Sequence, residues 1–206
     1  MTVVTRCWWI RHAPVVDNGG RVYGQTDIAA DLSDRAPYEP LAGFLPAAAV
    51  WVASHLQRTH QTAQAIADAG LDVPELVIER GLAEQHFGDW QGQPRDQVFA
   101  RYGARHQFWL APATTAPPGG ESFADLVERV APTVDRLVEA HAGRDIVIVA
   151  HGGTIRAALA HALGLDPEAA IAFTVDNLSL TRLDHIAAPD LASGAWRVVS
   201  VNRVPR

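Results

Sequence analysis

The run Ile146–Ala150 constrains this chain most. It is a continuous stretch of Ile and Val with no polar alternation, followed at once by His151-Gly152-Gly153 and an apolar-rich segment, Thr154–Leu163. Five residues are too few for a buried helix, and β-branched side chains favour the pleated state. A strand apolar on every residue has both faces covered, as in the parallel sheets of α/β proteins. Val3–Ile10 is a second, largely apolar run, interrupted by Thr5 and Arg6, that ends on Arg11-His12, and Ala47–Ala53 supplies a third. Strands that alternate with helical segments predict an α/β fold, a three-layer αβα sandwich around a largely parallel central sheet.

The rest of the chain fits this frame. Pro14 to Asp34 is rich in breakers and reads as loop. Ser54 is positioned to cap a helix from Gln57 to Ala69, which Gly70 ends. Leu76–Ile78 predicts a short strand and Asp96–Leu110 a helix. Pro112–Gly120 reads as a loop. Phe123, Leu126, Val127, Val130, Val134, Leu137 and Val138 recur at helical spacing, so Ser122–His141 should be a long amphipathic helix that Pro132 kinks or splits. Leu178–Leu183 and Arg197–Val201 complete the expected strands. At 206 residues the chain reads as one domain, 1–206.

Composition narrows the function. A net charge of −6 argues against general binding to nucleic acid or anionic membranes, while leaving room for a small positive pocket. Cys7 is the only cysteine, no apolar run reaches the length of a membrane span, and Met1–Arg6 lacks the apolar core of a signal peptide. These features predict a cytoplasmic protein.

In open α/β sheets, ligands bind beyond the carboxyl ends of strands. Arg11-His12, the stretch from Ser54 to Arg58, and His151 all lie there. Each alone is also what a structural residue gives. The glycines after His151 let a ligand approach the backbone, and the following helix offers free N–H groups to an anion. Arg58 opens its helix, where the dipole disfavours a cation unless an anion is bound. Glu84 lies among aromatic and glycine neighbours that suit a proton donor. Two histidines and two arginines fit a phosphoryl dianion, and one carboxylic acid fits its departing oxygen.

These motifs, taken in order, resemble the histidine phosphatase (phosphoglycerate mutase-like) superfamily over nearly the whole chain. Ile10-Arg11-His12-Ala13 is similar to its first motif, and Leu56-Gln57-Arg58-Thr59 with Gln61-Thr62-Ala63 to its second. Leu82–Gly88 with Trp90 and Gly92 resembles the acid-bearing segment. Pro118-Gly119-Gly120-Glu121-Ser122 resembles a loop before the long helix, and Val149–Gly153 with Arg156 the second-histidine motif. Ala13 stands where glycine is usual, Val15 offers no hydroxyl to a phosphate, and His55 stands where proline is common.

The resemblance implies a phosphohistidine mechanism. His12 is the nucleophile, Glu84 the acid and then the base, and a protonated His151 completes the catalytic set. Arg11, Arg58, Asn18 and Gly152 hold the phosphate. Glu121 is a competing acid, and His86 is a candidate pocket residue. The resemblance requires no metal and no cofactor. The expected partner is a small phosphorylated metabolite. The short chain favours a phosphatase over a mutase, and Arg21–Asp27 resembles the alpha-ribazole phosphatase branch. A mutase or sugar bisphosphatase of the same fold remains an alternative. So does a non-catalytic module that binds a phospho-ligand or phosphoprotein. The sequence leaves the oligomeric state open.

Overall fold

The computed structural model describes residues 1–102, 109–189, 191 and 194–205. Six strands form one sheet: β1 (Val3–Arg11), β2 (Ala49–Ala53), β3 (Val77–Ile78), β4 (Asp145–Ala150), β5 (Leu180–Ala187) and β6 (Ala195–Arg203). Their order is β3-β2-β4-β1-β5-β6. The first four run parallel, while β5 pairs antiparallel with β1 and β6 antiparallel with β5. The α/β sandwich with a mostly parallel centre is therefore as expected, with an antiparallel hairpin at one edge.

Helices cover both faces because the strands are apolar on both. On one face Cys7, Trp9, Val52, Ile146 and Ile148 pack with Leu126 and Val130 of α4 (Phe123–Ala140) and Ile155 and Leu159 of α5 (Gly152–Leu163). On the other, Ile10, Trp51, Val147 and Val149 pack with Tyr38 and Leu41 of α1 (Tyr38–Phe44) and Ala63 and Ile66 of α2 (Gln57–Asp68). Each large apolar side chain buried this way contributes roughly 1.5–3 kcal/mol. Cys7 is part of this packing, and burial pushes its thiol up to about 12. No helix among the described residues is long and apolar enough to cross a membrane.

Several local expectations change. Helix α4 runs unbroken through Pro132, because its apolar face is buried and a capping box secures its start. There Ser122 Oγ accepts from the Asp125 N–H at 3.1 Å, and the Asp125 carboxylate accepts from the Ser122 N–H at 2.8 Å. Ser54 does not cap α2. Leu56 occupies the cap position, with no side-chain cap. The helix expected over Asp96–Leu110 is α3, Arg95–Tyr102, and residues 103–108 lie outside the described residues. Helices α1 and α6 (Pro167–Ala170) were not expected, being short and weakly patterned. The last two strands are longer than expected, and β5 starts only at Leu180, after Leu178 with its left-handed φ of 59°.

Candidate active site

Strand register gathers the polar clusters. Arg11 lies opposite Ala150 across β1 and β4, and Ala53 opposite Val149 across β2 and β4. His12, Ser54 and His151 therefore leave three neighbouring strands at the same sheet edge. The rings of His12 and His151 are 5.2 Å apart between centroids.

Backbone carbonyls fix His12. Its Nδ1 is 2.6 Å from the Ala13 carbonyl oxygen, which only accepts, so Nδ1 carries the proton and Nε2 keeps its lone pair. The His12 carbonyl accepts from Asn177 Nδ2 at 2.7 Å. His151 has the opposite tautomer. Arg58 Nε donates to its Nδ1 at 3.3 Å, so its proton sits on Nε2 and goes to Ser54 Oγ at 2.8 Å. Arg58 itself is fully buried and donates to the Gly24 carbonyl at 2.7 Å and the Thr26 carbonyl at 2.9 Å. Arg11 donates to the Val175 carbonyl at 2.6 Å, while its buried Nε has no partner among the described residues.

Glu84 approaches from a different direction. Its Oε1 accepts from the Gly153 N–H at 3.1 Å, at the start of α5, and from the Gln85 N–H at 2.9 Å. Residue 153 has to be glycine for this, since a Cβ there would collide with Glu84 Oε1. Arg129, Thr154 and Gln25 bond the carbonyls of Ala83 and Glu84 and hold the segment in place. Glu121 is engaged elsewhere. It pairs with Arg129 at 2.6 Å and accepts from the His86 N–H at 2.9 Å.

A cavity of about 320 Å³ opens over this group. Arg11, Asn18, Gly152 and Glu84 line it, together with Tyr23, Trp109 and further arginines. Glu121 and His86 are not among its lining residues. His12, Arg58 and His151 are buried, at 1%, 0% and 0% exposure, and are not among its lining residues. The sequence reading missed Ser54 as the partner of His151, Asn177 beneath His12, and Arg95 on the pocket wall. Only Ser54 carried a signal, its place at a strand end, and that signal served equally well for a helix cap. Among the described residues, no group of three or more His, Cys, Asp or Glu is arranged to hold a metal ion.

Burial lowers both histidines well below the usual imidazole value, with Arg58 and Arg11 adding repulsion at each. The charges of the protein alone thus keep His12 neutral, as a nucleophile requires. They also keep His151 neutral, so the imidazolium expected there has to form together with a dianion that offsets the arginines. Both rings are expected to stay neutral at about pH 6, below the ordinary value of about 6.5. Unfolded chains take up these protons near the ordinary value and the folded protein does not. Stability should therefore fall as pH drops below about 6.5. NMR titration of the imidazoles in the protein alone checks this, and two rings protonated at about pH 6 would reject it.

The sequence profile described as "Histidine phosphatase superfamily (branch 1)" matches residues 7–203. Glucosyl-3-phosphoglycerate phosphatase of Mycolicibacterium vanbaalenii is 38% identical over 176 residues, covering 79% of this chain and 76% of that protein. A 2,3-bisphosphoglycerate-dependent phosphoglycerate mutase of Cytophaga hutchinsonii is 33% identical over 132 residues, covering 63% of this chain and 54% of that protein. The native structure of a mycobacterial glucosyl-3-phosphoglycerate phosphatase superposes with a TM-score of 0.79 at 31% identity, covering 96% of this chain and 98% of that one.

Proposed function

The chain belongs to the histidine phosphatase superfamily and is a phosphoric monoester hydrolase, and from the arrangement of its pocket we propose that it works through a phosphohistidine on His12. The observation that carries this reading is the His12 tautomer, whose Nδ1–H donates to the Ala13 carbonyl and leaves Nε2 with its lone pair, in a ring 5.2 Å from that of His151 and within the field of Arg58 and Arg11. Nε2 attacks phosphorus and the P–O bond to the alcohol breaks. Glu84 gives its proton to the departing oxygen. Water then attacks the phosphohistidine, Glu84 takes back a proton, and the P–N bond breaks to release phosphate and restore His12. Arg11, Arg58, Asn18, the backbone at Gly152 and a transiently protonated His151 hold the phosphoryl oxygens. Donors fixed in advance around the developing charge are the main means of catalysis in phosphoryl transfer.

The substrate in this reading is a small phosphorylated metabolite in the cytoplasm, acted on by a single domain. The vanbaalenii relative favours a phosphorylated glycerate derivative. The alpha-ribazole alternative rests on Arg21–Asp27. That segment borders the pocket through Arg21, Val22, Tyr23 and Gly24, where a leaving group has to sit. The mutase alternative rests on the Cytophaga relative and predicts an isomeric phosphate ester as product. A screen of phosphate esters that measures released phosphate separates these readings.

The same screen tests the role of metals. In this reading Arg11, Arg58 and a protonated His151 supply the charge a metal would otherwise bring, so activity should survive thorough chelation unchanged. Loss on chelation with recovery on adding Mg²⁺ or Zn²⁺ would reject this.

A further inference from the structure

A second cavity, of about 230 Å³, shares no lining residue with the pocket over Glu84. It lies between the start of α1, the loop ahead of β5 and the residues that follow β6. Pro14, Pro37, Leu178, Val204 and Pro205 give it apolar walls. Its charged lining residues, among those described, are two carboxylates, Asp31 and Asp34, both exposed. Asp31 accepts from the Ser33 N–H and Asp34 from the Ala36 N–H, each at 3.0 Å, and neither carboxylate is in an ion pair among the described residues. The neighbouring arginines are engaged elsewhere. Arg35 is 3.9 Å from Asp68, and the Arg203 guanidinium lies over the Phe44 ring, 4.1 Å from the centroid.

Tyr38 lines the same cavity and is only 2% exposed, yet its buried hydroxyl has no hydrogen-bond partner among the described residues. Buried hydroxyls are nearly always paired. Burial pushes the Tyr38 pKa up, and Asp31 and Asp34 push the same way against Arg35, so the hydroxyl lies within the field of both carboxylates. An anion would be repelled here, and a purely apolar molecule would leave all three groups unused. An ammonium group on an apolar body suits the whole lining. Its N–H groups donate to the carboxylates and to the Tyr38 oxygen, and its body covers the prolines, Leu178 and Val204.

The cavity also borders the backbone that carries the catalytic pair. Asn177, which lines it, donates to the His12 carbonyl at 2.7 Å. The Leu178 N–H donates to the Arg11 carbonyl at 2.9 Å, from a backbone whose φ of 59° a leucine rarely adopts. We propose that this cavity binds a small organic cation, an amine on an apolar body, and that its occupancy is passed to His12 through Asn177 and Leu178. The coupling rests on the reading of His12 as nucleophile, and the binding does not.

The amine 2-phenylethylamine and its neutral counterpart 2-phenylethanol separate charge from apolar fit. In amide NMR titrations of the whole protein the amine should saturate, with shifts centred on Asp31, Ser33, Tyr38, Asn177 and Leu178. It should bind about tenfold or more tightly than the alcohol, the scale of a charge-assisted hydrogen bond. In Asp31→Asn with Asp34→Asn, both at the surface, that preference should fall toward one. Saturating amine should change kcat/KM for an aryl phosphate by about fivefold or more in the parent protein and not in the double Asn variant. Equal affinities, a titration that does not saturate, or a preference that survives the double Asn change overturns the site. Saturation with kcat/KM unmoved overturns the coupling. If no ester labels His12, the phosphatase reading fails and the coupling to catalysis with it, while the amide shifts still decide whether the cavity takes a cation.

Discussion

Replacing His12 with alanine is expected to remove turnover of aryl and alkyl phosphates alike, by about 10⁴-fold or more, the scale seen when a covalent nucleophile is lost. The expectation follows from two features. The ring is held by a 2.6 Å bond to Ala13, and its carbonyl is held by Asn177 at 2.7 Å, so no other side chain is prepared to take its place. His151 is the nearest candidate, but its tautomer turns Nε2–H to Ser54 and its Nδ1 to Arg58. In the proposed mechanism it is a charge partner rather than a second nucleophile. Stopped-reaction labelling with a ³²P ester should give an acid-labile, alkali-stable adduct on His12 in the parent protein and none in His12→Ala. Circular dichroism checks that the buried site still folds. Substantial residual turnover, or label on His151, would reverse the assignment.

The second large effect concerns Glu84. An acid matters most when the leaving alcohol is poor, because a good leaving group departs without a proton. Glu84→Gln should therefore slow alkyl phosphate hydrolysis by ~10²–10⁴-fold and aryl phosphate hydrolysis much less. With an aryl ester the variant should accumulate phosphohistidine, since the same group activates water in the second step. Glu121→Gln should behave differently. It breaks the 2.6 Å pair with Arg129 and the bond from the His86 N–H, both of which brace the segment that carries Glu84. Its cost should appear in thermal stability and equally with both ester types. If Glu121→Gln alone shows the alkyl-selective loss, the roles of the two glutamates are exchanged.

Some of this was legible in the residues and some was not. The sheet was legible because β2 is apolar throughout, β4 is apolar after Asp145, and β1 is apolar apart from Thr5, Arg6 and Arg11, which few other arrangements tolerate. His12, Arg58 and His151 were legible because each follows such a strand, and strand ends meet. Glu84 had no such frame. It sits between two short 3₁₀ turns, Arg80–Leu82 and Gly88–Trp90, so its position depends on Arg129, Thr154 and Gln25, which lie up to 71 positions from the carbonyls they hold. The Ser54 contact with His151 was hidden for the same reason, since it spans 97 positions. The helix does not split at Pro132, because the one helical bond lost there is outweighed by the burial of the surrounding face. Arg95 carried no signal, because an arginine at the start of a weakly patterned helix looks like any solvated one.

Arg58 donates to the loop above it through the main-chain carbonyls of Gly24 and Thr26, while its guanidinium lies over the Tyr23 ring, 5.2 Å from the centroid. A bond to a carbonyl is indifferent to the side chain beside it. The charge lattice that handles the phosphoryl group is therefore separable from the surface that meets the alcohol. Thr26 can drift in size and polarity while the arginine stays moored, though Gly24 cannot, because a side chain there would strike Gln91, Phe87 and the Gln85 backbone. Such a division lets selection remodel which alcohol is accepted, one loop residue at a time, without passing through an inactive ancestor.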